Sequence, residues 1–340
     1  MAFTAISNLI KNDAFAGYVQ RAILERSALF KSGIASDDPT IAQKCREAGF
    51  GGDFVTLPYY NALETAGEHA ETILKEDGNN LPVDNVSSGK DIAVICRRGK
   101  AFGANDLAAD WSGTDPMKVV ADQLADYWNV RNQERLFAVL KGVFAHNVAS
   151  DDSDLVLDIT KESGNAAILS KETILLAAQL LGDRKTELTA IAMNSMVDTV
   201  LSAMDTNAGL YRASEGPATL AKYNGRDIIV DDGCAYNPST KVAEIYLFGR
   251  GAIAYNDCPV KVPFEMGRNA LMNGGQDYLV SRIANICHLR GYKWNITETN
   301  PPNDTASGGS GPKGLSDAAA WSRVWNKKEI RCVKLIAKLG

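Results

Sequence analysis

The sequence predicts an α+β fold that leaves long pieces of itself uncovered, and three observations predict it. Residues 115–144, DPMKVVADQLADYWNVRNQERLFAVLKGVF, keep helical periodicity from end to end. At ~1.5 Å per residue they make a rod of roughly 45 Å, against a mean helix of about 11 residues in globular proteins. A basic, strand-like run, DIAVICRRGKAF (91–102), precedes the rod. Strand patterns follow it, among them a hairpin centred on Asn224-Gly225, a dipeptide suited to the positive φ angles of a tight turn.

Along the chain, residues 1–55 mix short helical patterns (6–10 and 18–30) with the interruptions SDDPT and GFGGD. They hold few residues able to form a core, so they read as an arm packed on something else. Strand-like runs near 70–74 and 91–96 flank a polar tip, DGNNLPVDNVSSG, which predicts a long β-hairpin. Two strands alone are marginal in water, so a neighbouring copy is expected to cover them. Thr114 or Asp115 can cap the long helix and Pro116 suits its first turn. Val120, Leu124, Trp128, Leu136, Val139 and Val143 form its apolar stripe.

The segment HNVASDDSDLVLDITKESGN (146–165) reads as a break. Two helices are then expected: KETILLAAQLL, started by Ser170 and ended by Gly182, and RKTELTAIAMNSMVDTVLSAM, capped by Asp183. Residues 219–232 form the Asn-Gly hairpin, and 241–255 continue the same sheet. Residues 277–295 fit either helix or strand, 300–314 read as a linker, and the tail as a short helix then a strand. No internal repeat is present.

Composition narrows the class. The 340 residues are 45% hydrophobic and 23% charged, ordinary for a globular protein of one elaborated domain or two. Such a length buries a core without metal or disulfide staples. The net charge of −5 argues against tight, sequence-specific nucleic-acid binding, yet suits a container wall that must not adhere to nucleic acid inside it. Six scattered cysteines with no CxxC spacing read as reduced, mostly buried thiols of a protein made in the cytoplasm. The start lacks the pattern of a signal peptide, and no run of about 18 apolar residues could span a membrane.

No catalytic, cofactor-binding or metal-ligating residue is predicted. His69, His146 and His288 are isolated in sequence and read as surface or partly buried side chains. GGSGPKG lacks the Ser or Thr and the leading strand of a phosphate loop, GFGGD fails the dinucleotide spacing, and no GxSxG elbow occurs. Asp151-Asp152 and Asp231-Asp232 fall at turn signals, where solvated carboxylates are expected. What remains is charge. Arg97, Arg98 and Lys100, with Lys75 and Lys90 on the same hairpin, are the candidate inter-subunit contacts. The competing reading is a solvated strand end, whose exposed ion pairs contribute only about 0–1 kcal/mol each.

Three stretches in fixed order carry a resemblance over nearly the whole chain. They are GKAFGANDLAADWSGTDPMKVVADQLADYWNVRNQERLFAVLKGVF; LGDRKTELTAIAMNSMVDTVL followed by YNGRDIIVDDG; and SDAAAWSRVWNKKEIRCVKLI, with Trp321, Lys327, Lys328 and Ile330. Together they resemble the major capsid proteins of tailed bacteriophages, the Hong Kong 97 capsid fold. Members often carry His-Ser where this chain has Asn194-Ser195.

The resemblance implies an N-terminal arm (1–55), an extended E-loop hairpin (56–105), a peripheral-domain spine helix (106–150), an axial domain (151–265), and return strands of the peripheral domain with the C-terminal segment (266–340). It implies pentamers and hexamers closing an icosahedral head in the host bacterial cytoplasm and then the virion. The implied partners are further copies, a separately encoded scaffolding protein, a portal, a decoration protein, and double-stranded DNA held without sequence specificity; no membrane is involved. Some relatives crosslink Lys to Asn between subunits; Lys75 and Lys90 lie on the E-loop, but no acceptor is identified here and no bond is predicted. The rival readings are an encapsulin-like compartment shell, a tail or head-completion protein, and a soluble α+β enzyme with an unrecognised site.

Overall fold

The computed structural model describes residues 34–36, 38–47, 54–61, 63, 83, 85–106, 116–204, 211–212, 221–271, 275–295 and 314–340. Its first part contains β1 (Ala35–Ser36), α1 (Pro39–Glu47), β2 (Phe54–Tyr60), β3 (Ser88–Asn105) and α2 (Pro116–Ser150). The middle supplies β4 (Val156–Asp158), α3 (Lys171–Gln179), β5 (Leu188–Met193), α4 (Ser195–Met204), β6 (Tyr211–Arg212), β7 (Lys222–Tyr223), β8 (Arg226–Val230), β9 (Tyr236–Asn237) and β10 (Val242–Gly249). The last part adds β11 (Ile253–Asp257), β12 (Phe264–Asn269), β13 (Gln276–Leu289), β14 (Tyr292–Trp294), β15 (Trp321–Arg323) and β16 (Cys332–Lys338).

β3 is long enough to serve two partners. Its first half, residues 88–94, pairs antiparallel with β2, and residues 95–105 pair antiparallel with β13. The result is a six-stranded sheet ordered β1-β11-β13-β3-β2, with β12 also on β13. The hairpin partner expected near residues 70–74 is therefore corrected at its base to Phe54–Tyr60; residues 70–74 lie outside the described residues. Phe, Val and Tyr favour a pleated, half-buried surface, and Pro58 is tolerated because β2 is an edge strand.

An eight-stranded sheet, ordered β4-β16-β10-β5-β8-β7-β6 with β9 on β10, holds the largest core. Ile191, Ile245, Leu247 and Leu335 are fully buried in it. One expected helix is corrected here. Residues 184–204 are not one helix: Gly182–Glu187 form a 3₁₀ turn, LTAIAM becomes β5, and only Ser195–Met204 coil as α4. A short run that is apolar but for Thr189 fits a strand buried on both faces as well as a helix, and β5 lies between β10 and β8. Asn194 begins α4, accepting a hydrogen bond from the Met196 N–H at 3.0 Å, where a mid-helix position was expected.

Other elements follow their local chemistry. Ser170 and Thr173 close a reciprocal capping box on α3. Asn224 (φ 49°) and Gly225 (φ 77°) make the tight turn between β7 and β8. The run 241–255, expected in one sheet, divides: β10 stays in the eight-stranded sheet, and β11 crosses to the six-stranded one after Gly251 (φ 66°). Residues 276–289 are strand rather than helix. The expected linker 300–314 lies outside the described residues except for Gly314.

α2 spans both sheets. Leu124 and Trp128 pack with Phe264 and Leu279, while Leu136, Leu140, Val143 and Phe144 enter the main core. The helix runs to Ser150, through part of the expected break, for roughly 52 Å at ~1.5 Å per residue. Asn147 explains the extension. Its side-chain amide donates to Asp154 Oδ1 (2.8 Å) and Tyr292 Oη (3.2 Å), and its carbonyl accepts from the Leu155 N–H (3.2 Å). Tertiary bonds there override the polar sequence.

The cysteine expectation is corrected at one pair. Cys45 in α1 and Cys258 beyond β11 form a disulfide across 213 residues, with Cα atoms 5.3 Å apart. Cys96, Cys234, Cys287 and Cys332 are buried and lie outside the disulfide. His288 is also corrected: it is wholly buried, not superficial.

Candidate assembly interface

The hairpin presents the most conspicuous unburied apolar surface among the described residues. Beyond the β2–β3 ladder, Asn61 N–H donates to Ser87 O (2.9 Å) and its side-chain amide to Ser87 Oγ (2.7 Å), so the two arms stay together past the last strand residues. Around this extension Tyr60 is 80% exposed, Leu63 71%, Val83 90% and Val86 61%. A hydrophobe exposed singly is ordinary, but four on one hairpin call for a partner.

The basic candidates do not form one cluster. Strand alternation puts Lys90, Arg98 and Lys100 on one face of β3 and Arg97 on the other. Lys90 pairs across to Pro58 at the hairpin end, while Arg97, Arg98 and Lys100 lie opposite β13. At ~3.3 Å per residue about 33 Å separate Lys90 from Lys100. Both lysines are exposed; Arg97 and Arg98 are half-buried, and the Arg98 guanidinium donates to Arg97 O at 2.9 Å. Lys75 lies outside the described residues.

At the root of the hairpin the packing is polar and buried. Asp91 faces His288 on β13, Oδ1 to Nε2 3.0 Å, with both side chains inside. The two atoms lie within ion-pairing distance but without the alignment of a hydrogen bond. Burial alone would raise the Asp91 carboxyl. Attraction to His288, with the Gly291 and Ile92 N–H groups, outweighs burial and holds its pKa below the usual carboxylate range. Nothing in the local sequence marked this pair, because its members meet only through the fold.

Beside the far end of the β2–β3 ladder lies a groove of about 870 Å³, walled by Tyr59, Tyr60, Leu63, Arg184 and Trp325. Tyr59 anchors it, donating to Val324 O at 3.1 Å and meeting Trp325 edge-on at 6.0 Å. Elsewhere Ser195 Oγ donates to Asp232 Oδ1 at 2.6 Å, but Asp232 is solvated and also accepts from the Ser195 N–H, the geometry of a helix start. Among the described residues no group of three or more His, Cys, Asp or Glu side chains is placed to hold a metal. No described helix is long and apolar enough to cross a membrane.

No protein-family model matches the chain. Its fold does match solved phage capsids. The capsid of Ralstonia phage GP4 superposes with TM-score 0.54 at 11% identity, covering 85% of this chain and 84% of that one. The capsid of cyanophage Pam1 superposes with TM-score 0.53 at 12% identity, covering 99% of each. The architecture is thus that of a phage capsid subunit, of the Hong Kong 97 type. In sequence the chain is 36% identical to the major capsid protein of Bacillus phage SPP1 over 346 residues, 100% of this chain and 99% of the other. It belongs to that family of phage major capsid proteins, structural proteins that assemble with copies of themselves into the capsid of the virion.

Proposed function

We propose that the β2–β3 hairpin and the loop joining its strands are what one copy lays on the next, closing pentamers and hexamers into an icosahedral head. The observation that carries this is the exposure of Tyr60, Leu63, Val83 and Val86 on one projection, apolar surface that a second copy would cover. Charge supports the same reading. Residues 61–87 carry Glu64, Glu68, Glu71, Glu76, Asp77 and Asp84 against Lys75. Lys90 and Lys100, with Arg98 on the same strand face, offer carboxylates of a neighbour's loop a basic counterpart. Many modest contacts repeated around each capsomer add up, without one contact strong enough to trap a misassembled shell.

In this reading residues 1–55 are the arm, 56–105 the E-loop, 106–150 the spine, 151–265 the axial domain and 266–340 the return segment. Shell building rather than catalysis is the role. A scaffolding protein guides closure in the host cytoplasm, a portal occupies one vertex, a decoration protein binds the outside, and double-stranded DNA fills the head. Contact with DNA is weak, salt-sensitive and blind to sequence, as the net charge of −5 favours.

The test is deletion of residues 64–82, which spares the β2–β3 ladder. The expected result is a folded, soluble subunit with unchanged circular dichroism that forms no closed particles. Normal shells from the deletion would refute the role of the hairpin.

A further inference from the structure

The geometry points to a reversible covalent latch at the root of the amino-terminal segment, made by Cys45 and Cys258. The two residues are 213 positions apart, yet their Cα atoms lie 5.3 Å apart, inside the range a disulfide requires. Both sulfurs sit in a small core of their own with Ile41, Val55, Ala93 and Ile286, apart from the main core. The latch is open while the chain is made in a reducing cytoplasm and closes when the particle meets an oxidising medium.

The segment the bond would hold is short. α1 has nine residues, too few to be stable alone. β1 gives the sheet only two residues, paired with Ile253 and Ala254. Other ties include Asp38 to Arg290 (2.8 Å), the Asp38 N–H to Asn256 Oδ1 (3.1 Å) and Lys44 Nζ to Thr56 O, beside the buried side chains of Ile34 and Ile41. α1 and the two residues of β1 are the stretch such a bond would secure. A bond from Cys45 to Cys258 fixes it to the strand end after β11.

The chemistry balances with a small-molecule disulfide, RSSR, as oxidant. When α1 lifts, one cysteine thiolate attacks RSSR, forming a mixed disulfide and releasing one RSH. The second cysteine then attacks the protein sulfur of that mixed disulfide and releases a second RSH. The cysteine pair loses two electrons, RSSR gains them, and the two thiol protons leave on the two RSH molecules. Three of the other four cysteines are poor competitors. Burial pushes the Cys287 thiol up to about 12 and raises Cys234 and Cys332 as well, so little thiolate forms at any of them.

The experiment uses full-length particles exposed to oxidised glutathione, then denatured with iodoacetamide. Four cysteines should take the label without reductant and all six after it, with Cys45 and Cys258 recovered as one linked peptide pair. Amide exchange across α1 should be about tenfold slower in oxidised than in reduced wild-type particles, and Cys45→Ser should match the reduced form under both conditions. Six labels without reductant, a linkage such as Cys96 to Cys287, or identical α1 exchange with and without reductant would each overturn the latch. Because wild-type protein is read in both redox states, a folding defect in Cys45→Ser cannot imitate the result. The outcome is independent of whether the hairpin mediates assembly.

Discussion

The Trp128 indole N–H donates to the Ser281 hydroxyl at 2.9 Å, with both residues buried, joining the middle of α2 to β13. A long helix alone has no reason to hold a fixed place on a sheet; this bond and the packing of Leu124 on Leu279 supply one. Ser281→Ala leaves a buried donor without its acceptor. Unfolding of the soluble subunit in urea should show a loss of about 1–3 kcal/mol. An unchanged midpoint would mean that the indole finds another partner.

Gly142 faces a conflict between two effects. Ala in place of Gly inside a helix normally stabilises by about 1 kcal/mol. Here an added Cβ would stand 2.1 Å from Leu315 O and 2.6 Å from Trp321 Nε1, which are hydrogen-bonded to each other at 2.8 Å. Backbone cannot yield cheaply, so the clash wins. Gly142→Ala should destabilise by about 1–3 kcal/mol in thermal or urea unfolding.

Asp91 predicts an acid limb. Its folded pKa lies below the ordinary carboxylate value of 3.8, so the charged form favours the folded state. The resulting stability is fully present above the unfolded pKa and is lost as the pH falls through the folded one. Urea midpoints measured from pH 7 to pH 3 should therefore decline more steeply for wild type than for Asp91→Asn. The variant should already be weaker at neutral pH, because His288 then lies buried without its carboxylate.

Lys90→Glu and Lys100→Glu separate folding from assembly. Both side chains are exposed, so subunit stability should shift by no more than about 0.5 kcal/mol. Shell yield should fall, more so in low salt, where repulsion from a neighbour's acidic loop is less screened. Normal yield with both reversals would leave the strand end simply solvated.

Features written in local chemistry were legible from sequence. Asn224-Gly225 demands a tight turn, Ser170 presents a cap, and Leu124, Trp128, Leu136 and Val143 fall on one helical stripe; all stand where expected. Features decided by distant partners were not. LTAIAM is five apolar residues and a threonine with no usable period, and only its place between β10 and β8 makes it a strand. The end of α2 depends on Asn147 meeting Tyr292, and β2 straddles the boundary expected between the arm (1–55) and the hairpin (56–105). At the candidate interface the basic residues could be read from composition, but not their separation along β3, nor the buried Asp91–His288 pair beneath them.

Purified full-length protein viewed by electron microscopy, with and without a scaffolding protein, addresses the central claim most directly. Closed icosahedral particles in which Tyr60, Leu63, Val83 and Val86 lie against an adjacent copy are the predicted result. Compact monomers at every concentration, with that hairpin folded against its own chain, would contradict it.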